Sequence, residues 1–196
     1  MLPTFRLRAL LLAVALVSVA ACSGGQAADA SFDPSSPCPA EGRFAGAYPD
    51  LEALVPKTYR GDKPESLDSG RNCTPATLGS LASAGIKEVE FGGGTWTFGA
   101  ERALVMAVFR GDGLDAAKLA DFYASSANAN SRTTIDAQST PTVAGRPGQR
   151  LDTTTSERSQ TVVTWPAAQP NMVNVVLTND LPDARIQDAI DAFEGR

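Results

Sequence analysis

The sequence predicts an α+β protein in which a single antiparallel sheet of about five strands packs against about three helices. Three observations lead to this fold class. Runs rich in valine and threonine predict strands, and other runs repeat apolar residues at the helical spacing of three and four. The connections between successive strands are short, which favours antiparallel neighbours, and the helices would then cover one face of the sheet. We expect the domain to span residues 48–196.

The N-terminus has the features of a bacterial export signal. Arg6 and Arg8 precede an apolar run over residues 9–21, which is too short to cross a bilayer about 30 Å thick as a helix. The run ends in Val19-Ala-Ala-Cys22, which resembles a lipobox, the motif at which bacterial lipoproteins are acylated on the cysteine and cut before it. The resemblance implies a signal peptide of residues 1–21 and an acyl anchor, palmitate included, on Cys22. Cleavage at the Ala-x-Ala site without acylation is the alternative.

Composition limits the functions of the mature chain. Residues 22–47 are rich in Ser, Gly, Ala, Pro and Asp, which predicts a flexible tether. Without residues 1–21 the chain has 15 Lys and Arg against 22 Asp and Glu, a net charge of −7. Binding to nucleic acid or to anionic lipid uses clustered basic residues, so acyl chains would have to hold this chain at a membrane.

The cysteines and the absence of histidine narrow the chemistry further. With Cys22 assigned to lipid, Cys38 and Cys73 remain, and two cysteines in an exported chain most simply form a structural disulfide. A redox-active pair is disfavoured because the sequence has no Cys-x-x-Cys motif. The lack of histidine excludes Ser-His-Asp and Cys-His catalysis and histidine-ligated zinc. We expect no metal and no cofactor.

The first half of the domain combines two helices with two strands. Asp50 is placed to cap the first helix, and Thr74-Pro75 has the residues of a helix start. Alternation of charged and apolar residues before the glycine triplet 92–94 predicts a half-buried strand that the glycines interrupt. The predicted elements are a helix at 51–55, a loop at 57–72, a helix from 74 to Gly85, a strand at 88–91 and a central strand at 102–110.

The second half contains most of the predicted strands. Apolar residues at helical spacing predict a helix at 115–128, and the spacing of Ile186, Ile190 and Phe193 predicts a last helix after Pro182. Between these helices we expect strands at 133–137, 149–154, 161–165 and 171–178, with a turn at 144–147.

Several motifs have an ordinary structural interpretation. The glycine triplet 92–94 lacks the following Lys and Ser or Thr of a phosphate-binding loop, so a hairpin loop or bulge is the better interpretation. The tripeptide Arg110-Gly-Asp fits a strand-to-helix turn. The acids of the last helix lack the spacing of a calcium loop and predict a solvated face.

Trp96 and Trp165 are the candidate binding surface. Each lies at the end of a predicted strand beside threonines, and aromatic residues at strand ends often line ligand pockets or partner contacts. The alternative is that both close the hydrophobic core between sheet and helices.

Four segments carry a resemblance to known proteins: 51–56, the helix ending at Ala84-Gly85, 103–113 and 143–147. With these segments the predicted domain resembles a group of exported domains from high-GC bacteria, of actinobacterial and chloroflexal type, which occur as lipoproteins of unknown function. The resemblance covers about residues 48–196 and depends on turn and core patterns. A looser resemblance links the chain to lipoproteins with PsbP-like α/β sandwiches.

We expect a lipid-anchored, non-enzymatic binding or interaction module of the cell envelope. It would stand on the outer face of the cytoplasmic membrane, or in the outer membrane of a two-membrane cell, and bind an envelope partner or a small ligand. The alternatives are an envelope hydrolase that uses carboxylates and a purely structural component. An enzyme predicts converging acids with shifted pKa values, whereas a binding module predicts an apolar groove or an open sheet face.

Overall fold

The computed structural model describes residues 32–99 and 101–195. The expected signal peptide and Cys22 lie outside these residues. The strands are β1 (Gly42–Phe44), β2 (Ser66–Asn72), β3 (Val89–Thr97), β4 (Ala103–Arg110), β5 (Thr133–Ser139), β6 (Thr142–Val143), β7 (Arg146–Pro147), β8 (Gln149–Thr155), β9 (Arg158–Pro166) and β10 (Met172–Asn179). The helices are α1 (Pro49–Glu52), α2 (Pro75–Leu78), α3 (Ser80–Ser83), α4 (Ala116–Ala129) and α5 (Asp183–Phe193).

One antiparallel sheet of eight strands dominates the fold. Its order is β1-β2-β3-β4-β10-β9-β8-β5, and β6 and β7 form a separate hairpin. The sheet therefore consists of two four-stranded meanders that meet where β4 pairs with β10. The prediction of a five-strand sheet with three helices on one face is wrong, because the sheet is larger, three of the helices have only four residues each, and helices lie on both faces.

Strand alternation divides the core into two layers. On the first face, which we call the α4 face, α4 packs against β5, β8, β9 and β10, and α3 packs against α4. On the opposite face, the α5 face, α5 packs against β10, and α1 packs against β2, β3 and β4. β4 separates the layers: Leu104, Met106 and Val108 point to the α5 face, while Val105 and Ala107 point to the α4 face.

The longer helices begin as their sequences predict. The Asp115 side chain accepts a hydrogen bond from the Lys118 amide and so caps α4. Ile186, Ala189 and Ile190 form the buried stripe of α5. The helix after Thr74 is shorter than predicted: the Thr74 side chain caps α2, but Gly79 adopts a φ of 52° and separates α2 from α3.

Residues 32–44, which we call the strap, are folded onto the domain, so this part of the predicted flexible tether is ordered. Phe32 is buried, and β1 pairs with β2 along the edge of the sheet. The Arg71 guanidinium donates to the carbonyls of Ser36 and Ala40 at 2.7 Å each, and it lies 5.5 Å from the centre of the Phe32 ring.

Two further links hold the strap. A disulfide joins Cys38 to Cys73, as the cysteine count predicts. The Glu41 carboxylate accepts from the amides of Cys73 and Thr74 and from the Thr77 hydroxyl at the start of α2. Burial acts to raise the pKa of Glu41, but these hydrogen bonds outweigh it and the pKa lies below its usual value.

Among the described residues, no helix has the length and apolar character needed to span a membrane.

Candidate functional site

Both tryptophans are buried, so neither forms the candidate binding surface. Trp96 is 2% exposed and Trp165 is 0% exposed. The Trp96 indole donates to the carbonyl of Asp62, and the Trp165 ring packs edge-on against Phe193 at 5.4 Å. The structure therefore agrees with the alternative, in which both rings belong to the core on the α5 face.

In residues 32–99 and 101–195, one group of residues of the types that bind metals comes together, and it contains the disulfide. Cys38, Cys73 and Glu88 lie within 4.8 Å of one another. Because the two sulfurs are bonded to each other, they are not thiolates and do not offer a metal site.

The glycines of the triplet 92–94 have different surroundings on the two faces of the sheet. β3 continues through all three glycines, contrary to the predicted interruption. A Cβ on Gly92 would lie 2.9 Å from the backbone of α1, and a Cβ on Gly94 would lie 3.0 Å from the Trp96 ring. Close packing on the α5 face therefore explains two of the glycines. A Cβ on Gly93, which faces the other way, would meet only β4 atoms, the nearest being the Ala107 Cβ at 3.3 Å.

Gly93 forms part of the floor of a groove on the α4 face. Gly93 is partly exposed, whereas Ala107 beside it is 5% exposed and belongs to the core, so the groove is open on the β3 side of its floor. In the sheet register Gly93 pairs with Ala107, so two small residues lie side by side across β3 and β4. The row toward one end of these strands holds Phe91 opposite Phe109, with ring centres 5.9 Å apart. The row toward the other end is Thr95, Val105 and Leu177.

Both walls of the groove are partly exposed because α4 lies over the other half of the sheet. Val105, Phe109 and Leu177 pack against the core of the α4 face without being fully buried, and Phe91 is also only partly buried. We call this surface the sheet groove; its residues are Phe91, Gly93, Val105, Ala107, Phe109 and Leu177.

An ion pair lies at the β2 end of the sheet groove. Asp68 pairs with Gly93 in the register, and its carboxylate lies 3.5 Å from the Arg43 guanidinium. Burial raises the pKa of Asp68, while Arg43 opposes the shift. The groove is therefore apolar along its floor and walls and carries a paired, partly desolvated charge at one end.

Two surface depressions elsewhere carry both signs of charge. One of about 520 Å³ lies between residues 56–60 and α5, where Arg60 pairs with Asp188 at 2.7 Å. The other, of about 430 Å³, includes Arg110, which pairs with both Asp50 and Glu90 at 2.5 Å. Arg60 and Arg110 therefore already have acidic partners and do not offer an unmatched charge to a ligand.

A shared arginine holds two carboxylates on the other half of the sheet. Arg150 contacts Asp152 and Asp183 at 2.8 Å each. Burial acts to raise the pKa of Asp152, but hydrogen bonds from Arg150 and Thr161 outweigh it and lower that pKa. A general acid at neutral pH needs the opposite shift. The pair therefore gives no support to a carboxylate hydrolase.

Sequence reasoning missed the sheet groove because it attributed Gly92–Gly94 to a loop. The available signal was the strong strand pattern on both sides of the triplet, which fits a strand crossed by closely packed groups.

Comparison of the chain with protein-family models finds none that matches, and comparison with curated protein sequences finds no match either.

Proposed function

We propose that this protein is a lipid-anchored, non-enzymatic module of the bacterial cell envelope that binds a partner polypeptide through the sheet groove. The observation that carries the binding part of the proposal is the row of small residues, Gly93 and Ala107, between two partly exposed apolar rows. The anchoring part depends on the lipobox resemblance at Cys22.

The shape of the groove favours a polypeptide over a small ligand. Sites for small molecules are enclosed and bury most of the ligand surface. The sheet groove is open above Gly93, since an added Cβ there would have no neighbour within 4 Å other than β4 atoms, whereas its floor at Ala107 is covered. Open apolar surfaces rimmed by polar groups are typical of protein contacts, and an apolar segment of a partner would fill the trough.

The acyl anchor would keep the domain close to its membrane. Residues 23–31 separate Cys22 from the buried Phe32. Ten steps of extended chain reach at most about 35 Å. A partner would therefore have to lie in the same membrane or within a few nanometres of it.

Metabolic labelling tests the anchor. Labelled palmitate should enter the protein, and Cys22→Ala should abolish the incorporation while Cys38→Ala leaves it intact. Incorporation that survives Cys22→Ala would show that the anchor is placed wrongly.

Photocrosslinking in intact cells tests the groove. A benzophenone amino acid at Ser66, an exposed residue of the α4 face beside Thr95, should give an adduct of one discrete size. The same probe at Leu54, exposed near α1, should not.

A matched pair of leucine substitutions decides whether such an adduct reports the groove. Leu177→Glu should reduce the Ser66 adduct about tenfold, as expected for the loss of roughly 1.4 kcal/mol of binding. Leu67→Glu, an exposed leucine on the α5 face, should leave it unchanged. Equal effects of the two substitutions, or no discrete adduct, would contradict binding at the groove.

A further inference from the structure

Most arginines of the domain bind carboxylates. Ten arginines lie within residues 32–99 and 101–195, and seven of them form ion pairs with Asp or Glu. Such pairing is expected in a chain where acids outnumber bases. Within the same ranges, Arg102, Arg132 and Arg185 have no ion-pair partner. These three residues therefore show where positive charge is unmatched.

Two of the three unpaired arginines contact one residue, Phe98, which follows β3. The Arg185 guanidinium lies over the Phe98 ring, 6.0 Å from its centre, and the Arg102 guanidinium donates to the Phe98 carbonyl at 3.1 Å. We call Arg102 and Arg185 the arginine pair. A guanidinium has five N–H donors, and in the described part of the chain the pair uses only the one that Arg102 gives to Phe98.

The carboxylates that lie close to the arginine pair in the sequence are bound elsewhere. Asp183 and Asp188 flank Arg185 on α5, and Glu101 precedes Arg102. Each of these acids forms an ion pair with an arginine outside the pair; the partners, in the same order, are Arg150, Arg60 and Arg158. The charge of the arginine pair is therefore not neutralised by its neighbours in the sequence.

Hydrogen bonds fix the backbone of both arginines. The Arg102 carbonyl accepts from the Phe98 amide at 2.9 Å and closes the turn between β3 and β4. The Arg185 carbonyl accepts from the Tyr59 hydroxyl at 3.0 Å. Tyr59 is 1% exposed, and its ring centre lies 5.9 Å from that of Phe98. Donors on a fixed backbone lose less conformational freedom when they bind a ligand.

The loop that contains Tyr59 does not change the local charge. Four charged side chains of residues 57–65 have no ion-pair partner within the described ranges: Lys57, Asp62, Lys63 and Glu65. Two of them are positive and two are negative. The unmatched charge around Phe98 is therefore that of the two guanidiniums.

We propose that the arginine pair binds a phosphomonoester group. Such a group carries about −1.5 to −2 charges at pH 7 and has three acceptor oxygens, so its charge matches that of two guanidiniums. The planar fork of each guanidinium fits phosphate oxygens. A carboxylate has a single negative charge and would leave one arginine unmatched.

The site is open and lies away from the sheet groove. Arg102 is exposed, and Phe98 is partly buried and packs against the core of the α5 face. An open site of this kind holds the phosphate as one group of a ligand whose remainder lies outside the domain. The ligand is a soluble phosphomonoester or a lipid with a phosphomonoester headgroup, and its binding requires neither the groove nor the proposed anchor.

Titration of the full-length chain in nonionic detergent with glycerol 3-phosphate, followed by ¹⁵N NMR, tests the site. The side-chain Nε–Hε signals of Arg102 and Arg185 should shift. That of Arg132, which precedes the edge strand β5, should not. Dimethyl phosphate, a diester with a single negative charge, should bind about tenfold more weakly than glycerol 3-phosphate.

Matched substitutions test the two arginines separately. Arg102→Gln and Arg185→Gln should each raise the Kd for glycerol 3-phosphate about tenfold. Arg132→Gln removes the same charge and should change that Kd by less than about twofold. Equal losses from all three substitutions, or equal binding of the diester, would overturn the inference.

Phosphatidic acid in mixed micelles distinguishes the two sources of the phosphate. Shifts of the Arg102 and Arg185 signals with glycerol 3-phosphate support a soluble ligand, and shifts with phosphatidic acid alone support a lipid headgroup. No shift with either probe would overturn the proposal. Loss of palmitate labelling or of the groove adduct would not affect these titrations, so this proposal and the proposed function fail separately.

Discussion

The two four-stranded halves of the sheet are built from different residues. The strands β1–β4 contain five glycines, whereas β5, β8, β9 and β10 contain none and are rich in threonine and valine. In the first half, groups pack directly on backbone: Phe32 against Gly42, the Phe91 ring over Gly70 and α1 against Gly92. In the second half, side chains from both faces meet the helices.

The difference decides where the molecule has an open surface. A strand made of valine and threonine presents side chains that a helix must cover, and α4 covers the second half. A strand with glycines leaves troughs that a ring or a helix backbone fills. On the α5 face the Trp96 ring fills the trough over Gly94, and the α1 backbone fills the trough over Gly92. On the α4 face no group other than β4 atoms fills the trough over Gly93. The sheet groove therefore lies where the strands that contain glycine meet the strands rich in valine and threonine.

The largest expected effect on the free energy of unfolding comes from shortening two leucines on the α4 face that differ in burial. Leu119 on α4 is 1% exposed, whereas Leu177 in the groove wall is partly exposed. Leu119→Ala should lower the free energy of unfolding by about 3 kcal/mol, and Leu177→Ala by about 1 kcal/mol, because only the first leaves a closed cavity. Urea denaturation measures both. Equal losses would mean that the groove wall is as well covered as the core.

The second contrast is between adjacent glycines. Gly92→Ala should cost about 2 kcal/mol, since the new methyl group meets the α1 backbone at 2.9 Å and α1 must move. Gly93→Ala should change stability by less than about 1 kcal/mol, because the contact with Ala107 is milder and alanine restricts the unfolded chain. Thermal unfolding of the two variants under one condition gives the comparison. A larger loss for Gly93→Ala would show that something covers the groove floor.

The smallest expected effects on the free energy of unfolding come from replacing one aspartate in each half of the sheet. These effects depend on pH, and the two aspartates contribute with opposite signs. The pKa of Asp152 is lowered in the fold, so its contribution is present above the unfolded value near 3.9 and is lost as pH falls through the folded pKa. Asp152→Asn should cost about 1–2 kcal/mol at pH 7, with the difference from the parent disappearing at low pH. Asp152 lies in β8, in the second half of the sheet.

Asp68 is the corresponding acid of the first half. Its pKa is raised, mainly by burial, so keeping it ionised costs stability once the pH exceeds the folded pKa, and this cost is absent below the unfolded value. Asp68→Asn should therefore be neutral or stabilising by less than about 1 kcal/mol at pH 7, because the side chain is 22% exposed and paired with Arg43. Chemical denaturation of both variants at pH 7 and pH 3 tests the signs. Destabilisation by Asp68→Asn at pH 7 would mean that the Arg43 pair outweighs the burial.

Sequence periodicity was sufficient for the second half of the molecule. The strands β8–β10 and the helices α4 and α5 lie within a few residues of their predicted positions because their apolar residues follow regular spacings. Cysteine counting was sufficient for the Cys38–Cys73 bridge.

The first half was harder because its strands depend on distant partners. β2 was predicted as loop: it buries Ser69 and Arg71, and Arg71 is tolerated there because the strap supplies carbonyl acceptors. The sequence of residues 66–72 alone does not predict those acceptors. The sheet groove has the same origin, since it arises from the register of β3 against β4 rather than from either strand alone.

The strap also determines how the domain would bear mechanical load from an N-terminal anchor. A pull transmitted along the chain reaches Phe32 first, then the carbonyls bound to Arg71, and then Cys38. At Cys38 the disulfide diverts the tension into Cys73, at the end of β2, before it reaches the three residue pairs of β1. The weakest strand of the sheet is thereby shielded from force, and the load passes through a covalent bond into the start of α2.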